Sequence, residues 1–393
     1  MLLLIILICT ELLTIIVFRQ HYKSSSKARY YVTAIINSIL SIYLWMLFIK
    51  VSSFKGKFDD PGHIWLMMNL TGTVCAVMVP RIILDLLHFT GKLIRIRKKG
   101  HIRSLTNAGI IIWITIFTII VLGTTVGRVN FKTEEITIKV QGLNKNLEGL
   151  TIVQLSDMHL AAFHRNKSDL IKVINKVNTY KPDILINSGD FVNYGWREFD
   201  GMDTILSRAK SRLGNYAVIG NHDIGTYDPD LDQAGRDSNL KIINMLVKAS
   251  GYKVLNDEDT IINAGGAKIA IIGVITKGRH PHMIHGNLDK ARSGSDSADF
   301  RILISHDPNH WAEAVTGKTN IELTLSGHTH GMQMGIMTKV FKWSPSQYFY
   351  PRWSGLYKEG NQFLYVNRGL GVLAVPFRLW MPPEITVIRL VTN

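Results

Sequence analysis

The chain has 393 residues, 46% of them hydrophobic, and 45 Lys+Arg against 30 Asp+Glu. Its length calls for at least two structural units. Residues 1–130 carry 15 Lys+Arg against 4 Asp+Glu and residues 131–393 carry 30 against 26, so the basic excess gives the second part no nucleic-acid footprint, and no nucleic-acid partner is expected.

The apolar residues crowd the first third. Four stretches there, at 1–18, 30–49, 64–89 and 108–126, are long enough to cross a bilayer, which takes about 20 residues. The first lacks a basic n-region and a small-residue cleavage site before Arg19 and Gln20, so it reads as a retained span rather than a signal peptide. Cys9 and Cys75 both fall within spans, which excludes a disulfide framework. Cations in short loops mark the cytoplasmic side. Arg19, Lys23, Lys27 and Arg29 follow the first span, and Lys92, Arg95, Arg97, Lys98, Lys99 and Arg103 follow the third. The loop between the second and third spans offsets Lys50, Lys55 and Lys57 with Asp59 and Asp60, and fits the outer side. This topology places everything after Gly127 on the extracytoplasmic face of a multi-pass membrane protein. Arg81 and Asp85 stand four apart after Pro80. They could belong to an ion path, but with no further acidic or histidine relay noted in the spans they read as an intrahelical pair, with Arg81 snorkelling to the interface.

Residues 131–150 read as a linker leading into a strand, and 151–393 as an α/β domain. Apolar runs of strand length lie at 151–155, 183–187, 216–219, 267–274, 301–305, 322–325, 363–367 and 385–390. Leu170, Val173, Ile174 and Val177 recur at helical spacing, in a helix ending near Tyr180 before Pro182. A second helix is expected over 239–249, closed by Gly251. Strand and helix alternate first and strands dominate later, which predicts a layered α/β sandwich behind an all-α bundle of four membrane helices.

Five short motifs each follow one of these strands: SDMHL at 156–160, SGD at 188–190, GNHD at 220–223, SHDP at 305–308 and SGHTHG at 326–331. Sites in α/β sheets gather beyond the carboxyl ends of strands, so distant residues would converge there. Taken singly, Asp157 with His159, or His328 with His330, is more often a loop carboxylate or a satisfied histidine than a ligand pair. An isolated Asp190 more often shapes a turn. Joint occurrence in order, each behind a strand, makes chance a poor account.

With these motifs, residues 148–393 resemble the calcineurin-like metallophosphoesterase superfamily, whose pattern is DxH, GD, GNHD or GNHE, a single later His, and GHxH. The resemblance implies a four-layer α/β/β/α sandwich and two divalent metal ions. It implies Asp157, His159, Asp190 and His330 on one metal, and Asp190, Asn221, His306 and His328 on the other. Imidazole with carboxylate suits Mn, Zn, Fe or Ni, and Mn is the expected metal. Two such cations would lower the pKa of a bridging water for in-line attack on a phosphate ester. His222 would be the general acid, oriented by Asp223.

The chain departs from common relatives at Met332, where many have a second Gly, and Asn193 stands where the family's iron enzymes carry a ligand tyrosine. The soluble UDP-diacylglucosamine pyrophosphohydrolases of the superfamily carry GNRD where this chain has GNHD. The resemblance is therefore to the membrane-anchored branch, implying a phosphodiesterase acting on phosphate esters, lipid-linked ones included, at the bilayer. A pyrophosphohydrolase of lipid A synthesis and a catalytically silent receptor or transporter are the alternatives. Arg279, His280, His282 and His285 read as an ordinary loop. His164 and Arg165 are candidates for the mouth of the site, and His310 for the turn after His306. The segments WSPSQYFYPRW at 343–353 and PFRLWMPP at 376–383 suit either a lipid contact or a packed lid.

Overall fold

The computed structural model describes residues 2–22, 26–98, 102–277, 285–338 and 340–393. Lys23, Lys99, Arg279, His280, Pro281 and His282 lie outside the described residues. The chain divides into two compact units.

The first unit is built from helices α1 (Leu2–Tyr22), α2 (Lys27–Ser52), α3 (Pro61–Thr73) from Leu66 onward, α4 (Val79–Lys98) and α5 (Ile102–Thr125). A π-helical turn, Val74–Met78, joins α3 to α4, so the pair makes one long span. Among the described residues, four segments are thus long and apolar enough to cross a membrane, at Ile5–Tyr22, Lys27–Ser52, Pro61–Ile94 and Arg103–Val129. Their exposed apolar faces, such as Ile35, Ile39 and Ile42 on α2, are what a lipid solvent requires.

Arg81 does not snorkel. Its side chain is fully buried, with Nη2 donating to the Asn37 carbonyl (3.1 Å) and Ser41 Oγ (2.8 Å) of α2, and Nη1 lying 3.9 Å from Glu11 of α1. Asp85 accepts from Thr14 Oγ1 of α1 at 3.1 Å, and His88 stands between Gln20 and Thr106. The pair expected within one helix is part of a polar column between helices. Lipid cannot satisfy a guanidinium, so neighbouring helices supply the acceptors.

Among its described residues the second unit holds two six-stranded sheets and a small pair, β10 (Ile336–Met337) with β11 (Lys342–Trp343). One runs β1-β14-β2-β3-β4-β5, from β1 (Lys132–Val140), β2 (Thr151–Leu155), β3 (Ile184–Asn187), β4 (Asn215–Ala217), β5 (Lys253–Val254) and β14 (Glu384–Thr392). The other runs β12-β13-β9-β8-β7-β6, from β6 (Glu258–Ala264), β7 (Ala267–Val274), β8 (Phe300–Ser305), β9 (Leu323–Ser326), β12 (Gly355–Glu359) and β13 (Gln362–Val366). Side chains alternate across a strand. Ile184 and Ile186 of β3 meet Ile269, Ile271, Ile302 and Ile304 between the sheets. Leu185 turns the other way, toward Leu170, Val173 and Val177 of α6 (Lys167–Thr179), Leu206 of the short α7 (Asp203–Leu206) and Ile243 of α8 (Gln233–Ala249). Ile272 and Leu303 face outward from the second sheet, toward Trp311, Val315 and the short α9 (Leu288–Ala291). The result is the four-layer sandwich.

Strands β6 and β12 escaped the pattern reading because they are mostly exposed edges without an apolar run. Helix α8 starts six residues before the expected Asn239. Asp232 caps it by accepting from Gly235 N, and its solvent-facing first turns carry no apolar periodicity.

Candidate metal centre

All five motifs lie at or just past the carboxyl ends of β2, β3, β4, β8 and β9, so the turns of both sheets meet along one edge. Hydrogen bonds stitch them together. His328 N donates to both Asp157 oxygens at 3.0 Å, and His222 N donates to Asp190 Oδ1 at 2.9 Å. The backbone is strained where the side chains are aimed. Asp157, His159, Asp190, His328 and His330 have φ of 46°, 42°, 58°, 70° and 49°. Left-handed backbone at a non-glycine residue costs on the order of 1–3 kcal/mol and collects at functional sites.

Two triads result, Asp157 with His159 and His330, and Asp190 with His306 and His328, and within each triad the donor atoms lie within 4.8 Å of one another. His159 Nε2 and His330 Nε2 face each other at 3.0 Å, and His330 Nε2 is 3.2 Å from Asp157 Oδ1. Asp190 Oδ2 reaches His306 Nε2 at 2.9 Å and His159 Nε2 at 4.0 Å, touching both groups. Asn221 is buried, and its Oδ1 has no hydrogen-bond partner, while its amide nitrogen donates to Tyr227 Oη at 3.1 Å. An orphaned amide oxygen is costly unless something electropositive occupies its lone pairs. The donor set of imidazoles, carboxylates and one amide oxygen therefore fits two divalent cations.

Charge balance points the same way. Burial lowers the His306 pKa, but the facing Asp190 carboxylate overrides it and raises the value to about 10. Without a cation, a proton takes its place on His306. That raised pKa stabilises the metal-free fold below the imidazole reference of about 6.5, and the stabilisation is lost as pH rises through about 10. A cation competes with this proton, so the Tm gained on metal loading is expected to grow between about pH 6 and 9 in calorimetry. A gain independent of pH would contradict this.

His222 packs against Tyr227 with ring centroids 4.4 Å apart, and its Nδ1 lies 2.7 Å from the Asn193 carbonyl. A carbonyl only accepts, so Nδ1 carries the hydrogen and Nε2 is left available. The side chain of Asp223, expected to orient His222, has backbone amides as its hydrogen-bond partners among the described residues. Its carboxylate accepts from the backbone N–H of Asp190, Phe191, Val192 and Gly220, tying the SGD turn to the GNHD turn. Burial and the Asp190 carboxylate push the Asp223 pKa up to about 8, while those amide bonds pull it down.

Three further contributors lie outside the five motifs. Tyr350 Oη bonds His328 Nε2 at 2.8 Å. Arg378, fully buried, donates to the carbonyls of Arg368, Gly369, Gly371 and Met381, fixing the turn beneath the first triad. Gly371 in that turn has no room for a side chain: a Cβ would overlap the Met158 carbonyl and lie 2.8 Å from His159 Cβ. Gly371→Ala is expected to destabilise the chain by about 1–3 kcal/mol and to lower metal content, read by denaturant melts and elemental analysis. Wild-type values in both would refute the packing argument. Gly220 is similarly confined, against the Asp190 carboxylate.

His310 bonds Ser305 Oγ at 2.8 Å and belongs to neither triad. His164 pairs with Asp200 at 3.0 Å, and Arg165 stacks over Trp65. The aromatic segment divides: Trp353 is buried and Tyr350 is tied to His328, whereas Tyr348 and Phe349 are 73% and 62% exposed, and Trp380 nearby in sequence to Arg378 is 66% exposed.

Residues 150–332 match the sequence profile of the calcineurin-like phosphoesterases. The chain is 31% identical over 264 residues to the uncharacterized metallophosphoesterase YkuE of Bacillus subtilis, an alignment covering 66% of this chain and 85% of that one. It is 30% identical over 266 residues to a Danio rerio transmembrane protein with metallophosphoesterase domain, covering 66% of this chain and 57% of the relative, little more than half its length. A more distant relative, 24% identical over 297 residues with 62% and 84% coverage, is the UDP-2,3-diacylglucosamine pyrophosphatase LpxG of Chlamydia muridarum.

Proposed function

Because the chain belongs to the calcineurin-like metallophosphoesterase family and is a metal-dependent phosphoester hydrolase, we propose that it is a membrane-anchored phosphodiesterase using two divalent cations, Mn foremost. The observation that carries this reading is the pair of donor triads joined through Asp190. Asp157, His159, Asp190 and His330 would hold one cation, and Asp190, Asn221, His306 and His328 the other. When bound, the pair would supply Lewis acidity toward phosphate oxygens and lower the pKa of a water held between them.

The chain's own residues do the rest. Asp157 and Asp190 are the only carboxylates in this ligand set, so two dications leave the site net positive and select an anionic ester. Asp190 fixes the spacing of the two halves. His222, with Nδ1–H held by the Asn193 carbonyl, carries a proton on Nε2 to the leaving oxygen. Tyr227 and Tyr350 orient Asn221 and His328.

The substrate class we favour is a phosphate ester at the bilayer, lipid-linked ones included, on the extracytoplasmic face. Four apolar spans and the exposed Tyr348, Phe349 and Trp380 support it, since aromatic side chains favour the interface. The Chlamydia relative favours a second reading, a UDP-lipid pyrophosphohydrolase, which would need the site to face cytoplasmic nucleotides.

Purified full-length protein, loaded with Mn, is to be incubated with phospholipids, UDP-linked lipids, nucleotides and phosphoproteins beside an Asp190→Ala control. Release of product from lipid phosphodiesters by wild type alone is the expected result. Cleavage of UDP-lipids only, together with a C-terminal reporter active in the cytoplasm, would replace it with the second reading.

A further inference from the structure

The segment Gly56–Trp65, the connection from α2 with the first residues of α3, belongs to the same compact unit as the sandwich. Asp59 in this loop is 2% exposed, an unusual place for a carboxylate in a short connection between apolar helices. It accepts from Arg197 Nη1 at 2.9 and 3.2 Å and faces the Arg197 backbone N–H at 3.4 Å. Gly195 lies directly against it, with space for a Cβ taken by the Asp59 carboxyl group. Beside it, the Phe58 ring meets Tyr194 edge-on at 4.8 Å, and Phe58 N donates to Asp230 at 3.1 Å.

Apart from the one to Asp230, those contacts fall on one turn, residues 193–198. Its interior is a fully buried carboxylate, Glu198, which accepts the backbone N–H of Asn193, Tyr194 and Gly195 and the Asn193 side-chain amide. The turn is thus pinned from within by Glu198 and from outside by Asp59. What it presents toward the metal centre is the Asn193 carbonyl, the single hydrogen-bond partner of His222 Nδ1 among the described residues.

We propose that Asp59 is a positioning residue for the reaction: by clamping Arg197 and Gly195 it fixes the Asn193 carbonyl, and so sets where His222 delivers its proton. The inference rests on the proposed role of His222 as general acid. A membrane-helix connection is thereby part of the leaving-group side of the site, while the metal ligands themselves are held by other contacts. Supporting groups that orient a reacting side chain are commonly worth about 10–100-fold in activity.

The test uses full-length protein carrying Asp59→Asn, which keeps shape and removes charge, and compares p-nitrophenyl methyl phosphate with phenyl methyl phosphate. The first has a leaving group that departs with little help, and the second needs a proton. The variant is expected to retain wild-type metal content and KM, to lose about 10–100-fold in kcat on the phenyl ester, and to lose less than about 3-fold on the p-nitrophenyl ester. A merely structural role would lower both esters together or release metal. Either of those outcomes, or wild-type rates on both, overturns the proposal. Should Asp59→Asn not fold, Arg197→Met removes the same ion pair from the other side and must show the same split. Failure of the wild-type chain to hydrolyse either ester would instead overturn the hydrolytic reading.

Discussion

Asp190→Ala is expected to lower kcat/KM by more than about 10³-fold and to leave the purified protein with fewer than two metal ions per chain. Asp190 faces both triads, with Oδ2 at 2.9 Å from His306 and 4.0 Å from His159. Its other oxygen receives the His222 N–H, so the same carboxylate also anchors the GNHD turn. Removing it deprives His306, a fully buried imidazole, of its facing charge, and a buried group left unpaired loses more than the pair contributed. Asp190→Asn separates the effects, since it keeps the volume and an oxygen while removing the charge. It should retain the fold and still lose most activity. Elemental analysis and steady-state kinetics measure both, and near-wild-type turnover in Asp190→Ala would remove the bridging role.

His222→Ala should behave differently, with kcat falling about 10²- to 10⁴-fold, the range of general acid catalysis, and metal content staying near wild type. The reason for the separation is geometric. It is the backbone N–H of residue 222 that holds Asp190, and alanine retains it, whereas the imidazole bonds the Asn193 carbonyl, stacks on the Tyr227 ring and meets the His159 ring edge-on without bonding it. The loss should be larger for esters of poor leaving groups. Disappearance of both metals in this variant would mark His222 as structural.

The strongly apolar parts of this fold could be read from the chain. The run at 267–274 is the strand Ala267–Val274, and α6 ends at Thr179, beside the expected Tyr180. The donor residues could be read too, because metal coordination demands particular side chains and each sat behind a buried strand. Their assignment as ligands rests on chemistry and resemblance, while their convergence is geometric. Three kinds of feature left no trace. Exposed edge strands such as Gly355–Glu359 have no apolar alternation. Groups acting through backbone, such as the Asn193 carbonyl on His222, have no side-chain code. Interhelical polarity was hidden as well. Spacing linked Arg81 to Asp85, but only packing brings Asn37, Ser41, Thr14 and Glu11 to them.

The most direct test of a two-cation phosphodiesterase is one titration. Full-length protein is stripped with chelator, Mn is added back in known amounts, and bound metal and hydrolysis of bis(p-nitrophenyl) phosphate are measured together. Activity should be absent in the stripped protein and rise to a plateau at two ions per chain, with Asp190→Ala inactive throughout. A plateau at one ion, or hydrolysis that survives stripping or never appears, would contradict it.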